Sequence, residues 1–146
     1  MIISFIDTSL ETLCMAQEIM DNLDCEIHFF SEDAEIGLFG ELPGIVSTWP
    51  LIPNAWITSM YSQNYKPKYT AVRRSWFEKA IAISLAKRNT HFHLRTRITN
   101  FDDNKVEFSG AGFSGSGTLN CDKIFQISIE SNKTIWYGGV TTTEMA

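Results

Sequence analysis

Residues 2–33, IISFIDTSLETLCMAQEIMDNLDCEIHFFSED, decide how the chain is read. Ile2, Ile3, Phe5 and Ile6 form a nearly unbroken apolar run, the pattern of a strand buried on both faces of a parallel sheet. Asp7, Thr8 and Ser9 follow, and each can cap a helix with a side-chain oxygen; Thr8 and Glu11 have capping-box spacing. Leu10, Leu13, Cys14, Met20 and Leu23 recur at helical spacing, so they are expected to face the core while Glu11, Glu18 and Asp21 face water. Cys25, Ile27, Phe29 and Phe30 predict a second strand, ended by Ser31, Glu32 and Asp33. Two strands joined through a helix pair in parallel by a right-handed crossover, so the stretch predicts a βαβ unit.

The next segment, residues 34–68, holds three glycines and all four prolines, which excludes one long helix or a regular central strand. Its rings include Phe39, Trp49, Trp56, Tyr61 and Tyr65. Trp49, Trp56, Tyr61 and Tyr65 are candidates for a ligand or partner surface, because aromatics supply large contact area at low entropic cost. The competing expectation is that they cover the sheet. Residues 69–99 read as strand, helix, strand. Trp76, Phe77, Ala80, Ile81 and Leu85 make one apolar stripe, with Glu78, Lys79 and Lys87 outward. From His91 to Ile98 polar and apolar residues alternate, which puts His91 and His93 on one face continued by Arg95 and Arg97. That face is expected to be a solvated stripe without a metal, since no third ligand is close in sequence. Residues 100–129 predict a β-meander with a glycine-rich hairpin and an apolar return strand, and residues 130–146 a C-terminal strand or tail. Gly110, Gly112, Gly115 and Gly117 lack the Lys-Ser/Thr ending and the helix of a phosphate loop.

The opening run resembles the N-terminus of FAD-dependent oxidoreductases, particularly the class of aromatic-ring hydroxylases, lycopene cyclases and geranylgeranyl reductases. Those begin with two apolar residues and G-x-G-x-x-G-L. Laid over Ile2-Ile3, the three glycine positions fall on Ser4, Ile6 and Ser9, and the leucine on Leu10. The acidic position that holds the adenosine ribose falls on Ser31, with Glu32 one step later. The run from Tyr69 to Phe77 resembles the family helix whose arginine reaches the FAD pyrophosphate; that role falls on Arg74, or on Arg73 with a one-residue shift. Cys121-Asp122-Lys123-Ile124-Phe125 is similar to the family's return strand, and TIWYGGV to the strand by which lycopene-cyclase-like proteins enter their substrate domain. The resemblance implies a single α/β domain: a Rossmann-like FAD/NAD(P)-binding domain, with a parallel sheet, flanking helices and an inserted antiparallel β-meander.

Its departures are as informative. The family glycines make the turn tight, admit the phosphates and let helix and strand pack closely. Ile6 places a branched side chain where pyrophosphate would lie, and Glu11 adds negative charge beside the helix N-terminus. Gln126, Ile127 and Ser128 replace the second phosphate-side signature, and lycopene cyclase's Phe-Leu-Glu-Glu-Thr stretch is missing. FAD, if any cofactor, is expected to be lost. No catalytic residue stands out, so independent catalysis is not expected. The first expectation is a degenerate flavoprotein-like domain acting as a binding or partner subunit, with a second polypeptide or another copy of itself. The alternatives are part of a split FAD-dependent oxidoreductase or lycopene cyclase-like enzyme, and a binder of a small apolar, isoprenoid-like ligand.

Composition sets outer limits. The chain has 146 residues and a formal net charge of -5, with 44% hydrophobic residues, enough for one domain with a sizeable core. Scattered basic residues give no nucleic-acid face. Cys14, Cys25 and Cys121 are odd in number and far apart, which argues against a disulfide framework or a zinc site. With neither a signal-like start nor a run of about 18 apolar residues, a cytoplasmic protein without a membrane span is expected.

Overall fold

The structure, a computed structural model, describes residues 1–38, 43–60 and 68–127. The chain runs β1 (Ile2–Phe5), α1 (Leu10–Asn22), β2 (Glu26–Phe30), β3 (Pro43–Thr48), a 3-10 stretch (Asn54–Met60), β4 (Lys68–Arg73), α2 (Arg74–Ala86), β5 (Thr90–His93), β6 (Thr96–Asp102), β7 (Lys105–Gly110), β8 (Gly117–Asn120) and β9 (Lys123–Phe125). β1, β2, β5 and β9 form one parallel sheet in the order β5-β2-β1-β9. Ile3 lies opposite Ile27 and runs the same way, as the opening stretch predicts. β6, β7 and β8 form an antiparallel meander inserted before the return strand β9, and β3 pairs with β4 in a separate two-stranded ribbon.

One row of phenylalanines fixes the register of the parallel sheet. Phe92, Phe29, Phe5 and Phe125 come from the four strands in spatial order, with neighbouring ring centroids 5.0, 4.9 and 5.2 Å apart. A slip of one residue would turn every ring to the other face. On their side Ile3, Ile27, Leu13, Ala16, Phe77, Ile81 and Leu85 close the main core between sheet and helices. On the opposite face Phe30, Val106 and Cys121, with Ile2, Ile98, Phe108 and Ile124, join the sheet to the meander.

Several expectations are corrected. In α1, Leu13 is buried and Leu10, Cys14 and Met20 pack against the core as expected, but Thr12, Ala16 and Gln17 are buried there too, and Leu23 is exposed past the helix end. Two polar residues can sit there because each has internal hydrogen-bond partners. In α2, Phe77, Ala80, Ile81 and Leu85 are buried as the stripe predicts, but Trp76 is exposed and Glu78 fully buried. Glu78 is held inward by Arg74, whose Nε donates to its Oε1 at 2.7 Å. The predicted strand from His91 to Ile98 breaks at Leu94–Arg95, where Arg95 takes the left-handed φ of 52°. Thr96–Asp102 therefore belongs to the meander. Gly112 packs against that turn so closely that a Cβ there would strike the Leu94 carbonyl. Pro43–Thr48 forms one strand of the two-stranded ribbon, with Pro43 as its first residue, and so is not the regular central strand that its proline and glycine exclude. Among the described residues no helix is long and apolar enough to cross a membrane.

Candidate functional site

A cleft of about 420 Å³ opens at the carboxyl ends of β1 and β2. Open α/β sheets place ligands at this end, where connections leave in different directions. Its walls are the turn from Ile6 to Ser9, the end of β2 from Phe30 to Asp33, and Thr96 and Ile98 of β6. The two walls touch through Thr8 Oγ1 and Ser31 Oγ at 3.5 Å. The β2 wall is held by backbone bonds: Ser31 N–H to the His93 carbonyl (3.1 Å), Thr96 N–H to the Ser31 carbonyl (2.8 Å) and Arg95 N–H to the Asp33 carbonyl (2.9 Å).

The turn before α1 is closed by its own side chains. Ser9 is the N-cap; its Oγ accepts from the Thr12 N–H at 3.3 Å. Asp7 Oδ1 accepts from the Ser9 N–H at 3.0 Å and from the Thr12 hydroxyl at 3.0 Å. Two N–H groups at the positive end of α1 are thus bonded within the chain. The other Asp7 oxygen, Oδ2, is buried without a hydrogen-bond partner among the described residues. Asp7, Glu32 and Asp33 line the cleft, and its described lining contains no lysine or arginine.

Four of the family-position residues meet at this cleft: Ile6, Ser9, Ser31 and Glu32. Ser4 does not line it. It is wholly buried in β1, opposite His28 and Ile124, with its hydroxyl unpartnered among the described residues. Arg73 and Arg74 stand at the β4–α2 junction; Arg73 lies 5.1 Å over the Trp76 ring and Arg74 bonds Glu78. The sequence offered Asp7 only as one of three possible caps, and Thr12 not at all. The signal was the D-x-S-x-x-T spacing, in which a carboxylate reaches the N–H two residues on and a hydroxyl in the first turn.

Of the aromatic candidates, Trp56 is a buried ring whose Nε1–H donates to Asp21 at 2.8 Å. Trp49 packs edge-on against Phe77 at 5.9 Å. Trp56 thus reaches α1 and Trp49 reaches α2, whereas the competing expectation has these rings cover the sheet. Tyr61, Tyr65, Phe39 and the TIWYGGV run lie outside the described residues.

His91 is exposed, as the expected stripe has it, but His93 is half-buried and both join His28 in one cluster. Parallel pairing sets His28 opposite His91, and Phe30 opposite His93. Glu26, two residues before His28, shares its face and supplies the acidic group that local spacing could not reveal. Its Oε1 lies 3.0 Å from His28 Nε2 and 3.1 Å from His91 Nε2. His28 Nδ1 meets His93 Nε2 at 2.9 Å, and His93 Nδ1 meets Ser114 Oγ at 2.7 Å. Burial lowers the pKa of His28, and burial together with the two neighbouring imidazoles holds His93 down to about 4.

No protein-family model matches the sequence, and no curated protein matches it. Solved structures do. AlpK superposes with a TM-score of 0.64 at 11% identity, over 84% of this chain and 30% of that one. CmlS, a flavin-dependent halogenase, gives 0.58 at 14% identity over 84% and 28%. The p-nitrophenol 4-monooxygenase PnpA from Pseudomonas putida DLL-E4 gives 0.56 at 12% identity over 84% and 39%. The chain has the fold of the FAD/NAD(P)-binding domain found in flavin-dependent oxidoreductases, with its Rossmann-like parallel sheet and added meander. It spans between 28% and 39% of the length of these three neighbours.

Proposed function

We propose that this chain is a flavoprotein-type nucleotide domain that has lost its cofactor and works as a non-catalytic binding or partner domain. The observation that carries this reading is the Asp7–Ser9–Thr12 arrangement. In a dinucleotide fold the helix N-terminus holds the pyrophosphate through free N–H groups and the helix dipole. Here a carboxylate of the chain takes the place of the incoming anion. Ile6 narrows the same turn, and Glu32 and Asp33 face it across the cleft. A pyrophosphate would enter against three carboxylates, with no cation on the described walls to offset them. Glu32 remains placed to hold a neutral sugar hydroxyl, but one such bond to a carboxylate contributes only about 1.5–3 kcal/mol.

A second reading is one part of a split FAD-dependent oxidoreductase or lycopene cyclase-like enzyme. The partial coverage of the neighbours favours it, since a companion chain would supply the remaining length. An isoprenoid-like ligand at the aromatic segment is less favoured, because Trp56 is committed to the core. Isolation of the native protein with its companions separates these readings. The first expects a second polypeptide or a self-complex with no flavin absorbance, and the second a flavin-coloured complex with another polypeptide. Stoichiometric flavin on this chain alone would defeat both.

A further inference from the structure

We propose that Glu26, His28 and His91 form a binding site for one divalent transition-metal ion of the zinc class. It lies at the opposite end of β2 from the cleft, since Glu26 opens that strand and Phe30–Asp33 close it. The three donor atoms lie within 4.8 Å of one another. Zinc holds imidazole nitrogen and carboxylate oxygen at about 2.0–2.2 Å, so tetrahedral ligand atoms stand about 3.3 Å apart. The two glutamate–histidine separations, 3.0 and 3.1 Å, are already close to that edge. The histidine rings stack at 25°, so coordination requires one ring to turn until both nitrogens aim at a common point. His91 is free to do so, its side chain 50% exposed, whereas His28 is fixed in the sheet.

Two imidazoles and one carboxylate form a three-ligand set that suits zinc and its neighbours and leaves a coordination position for water. The surroundings match what a ligating histidine requires. With Nε2 on a metal, His28 carries its proton on Nδ1 and donates it to His93 Nε2; His93 then donates from Nδ1 to the Ser114 hydroxyl. Such relays set the tautomer and aim of the ring, and losing one costs about 10–100-fold in affinity. The turn at Leu94–Arg95 ends the histidine-bearing strand, and Arg95 bonds through its backbone to Asp33, at the far end of β2 from Glu26.

The test is a zinc titration of the full chain after dialysis against a chelator, with cobalt substitution to report coordination. One ion per chain is expected, with visible cobalt bands of tetrahedral type. His91→Ala and Glu26→Gln should each weaken zinc at least tenfold, and His93→Gln about tenfold. Cys25→Ser should bind as the wild type does, because Cys25 packs in the helix-side core. The proposal is overturned if the wild type takes up no zinc, if His91→Ala and Glu26→Gln bind it unchanged, or if Cys25→Ser abolishes uptake. His91 is exposed, so its variant should fold; a matching melting curve without metal confirms that the loss is local.

Discussion

Arg88 shows how much one side chain can settle. It follows α2 and reaches across to α1, where Nη1 donates to Gln17 Oε1 at 3.0 Å and Asp21 Oδ1 at 2.6 Å, and Nη2 to the Met20 carbonyl. Gln17 is wholly buried, and its Nε2 donates to the Ile81 carbonyl. Arg88→Ala therefore strands a buried amide oxygen and should cost about 1–3 kcal/mol in denaturant unfolding. Arg88→Lys should recover only part, because an ammonium lacks the fork that spans these acceptors. A full recovery would refute that geometry. Glu78 makes a different prediction. Burial raises its carboxyl pKa above the ordinary 4.5, and Arg74 offsets this in part. A raised folded-state pKa gives a contribution that is complete below the unfolded value and is lost as pH rises through the folded one. Relative to Glu78→Gln, the wild type should lose stability as pH rises from below 4.5 toward neutrality. Parallel stability curves for the two proteins would contradict the assignment.

At the scale of elements, the phenylalanine row and the α1 cap set the frame. Phe29→Ala, in the middle of the row, should cost about 3–5 kcal/mol. Phe29 and Phe5 should show a coupling of about 0.5–1.5 kcal/mol in a double-mutant cycle. Ser9→Ala should cost about 1 kcal/mol by freeing the Thr12 N–H. Independence of the two phenylalanines would place the register elsewhere. The sequence was most legible in these elements. Unbroken runs such as Ile2–Ile6 and Cys25–Phe30 read directly as buried parallel strands, because burial on both faces leaves no polar positions. The meander was legible from its turns. Glu78 was not, because a lone carboxylate on an apolar stripe looks outward until its partner Arg74, four residues earlier, holds it inward. The Glu26–His28–His91 group was invisible for another reason: its members are joined by strand pairing between β2 and β5, which lie far apart in the sequence.

Taken as a whole molecule, the chain has the sheet order and the meander of the FAD/NAD(P)-binding fold, and the described lining of its cleft holds three carboxylates and no lysine or arginine. Fold and ligand respond to different residues. The order β5-β2-β1-β9 depends on apolar runs that survive many substitutions, whereas pyrophosphate binding depends on a few small residues in one turn. The central claim is that Asp7 and its neighbours, and not a missing element of the fold, close the cleft to FAD. Equilibrium dialysis of the purified chain against FAD at about 100 μM, a concentration that would load any site of micromolar affinity, tests it most directly. The account predicts no saturable uptake by the wild type, and uptake by a folded variant combining Asp7→Asn with Ser4→Gly, Ile6→Gly and Ser9→Gly. One equivalent of FAD on the wild-type chain, with micromolar or tighter affinity, would contradict it.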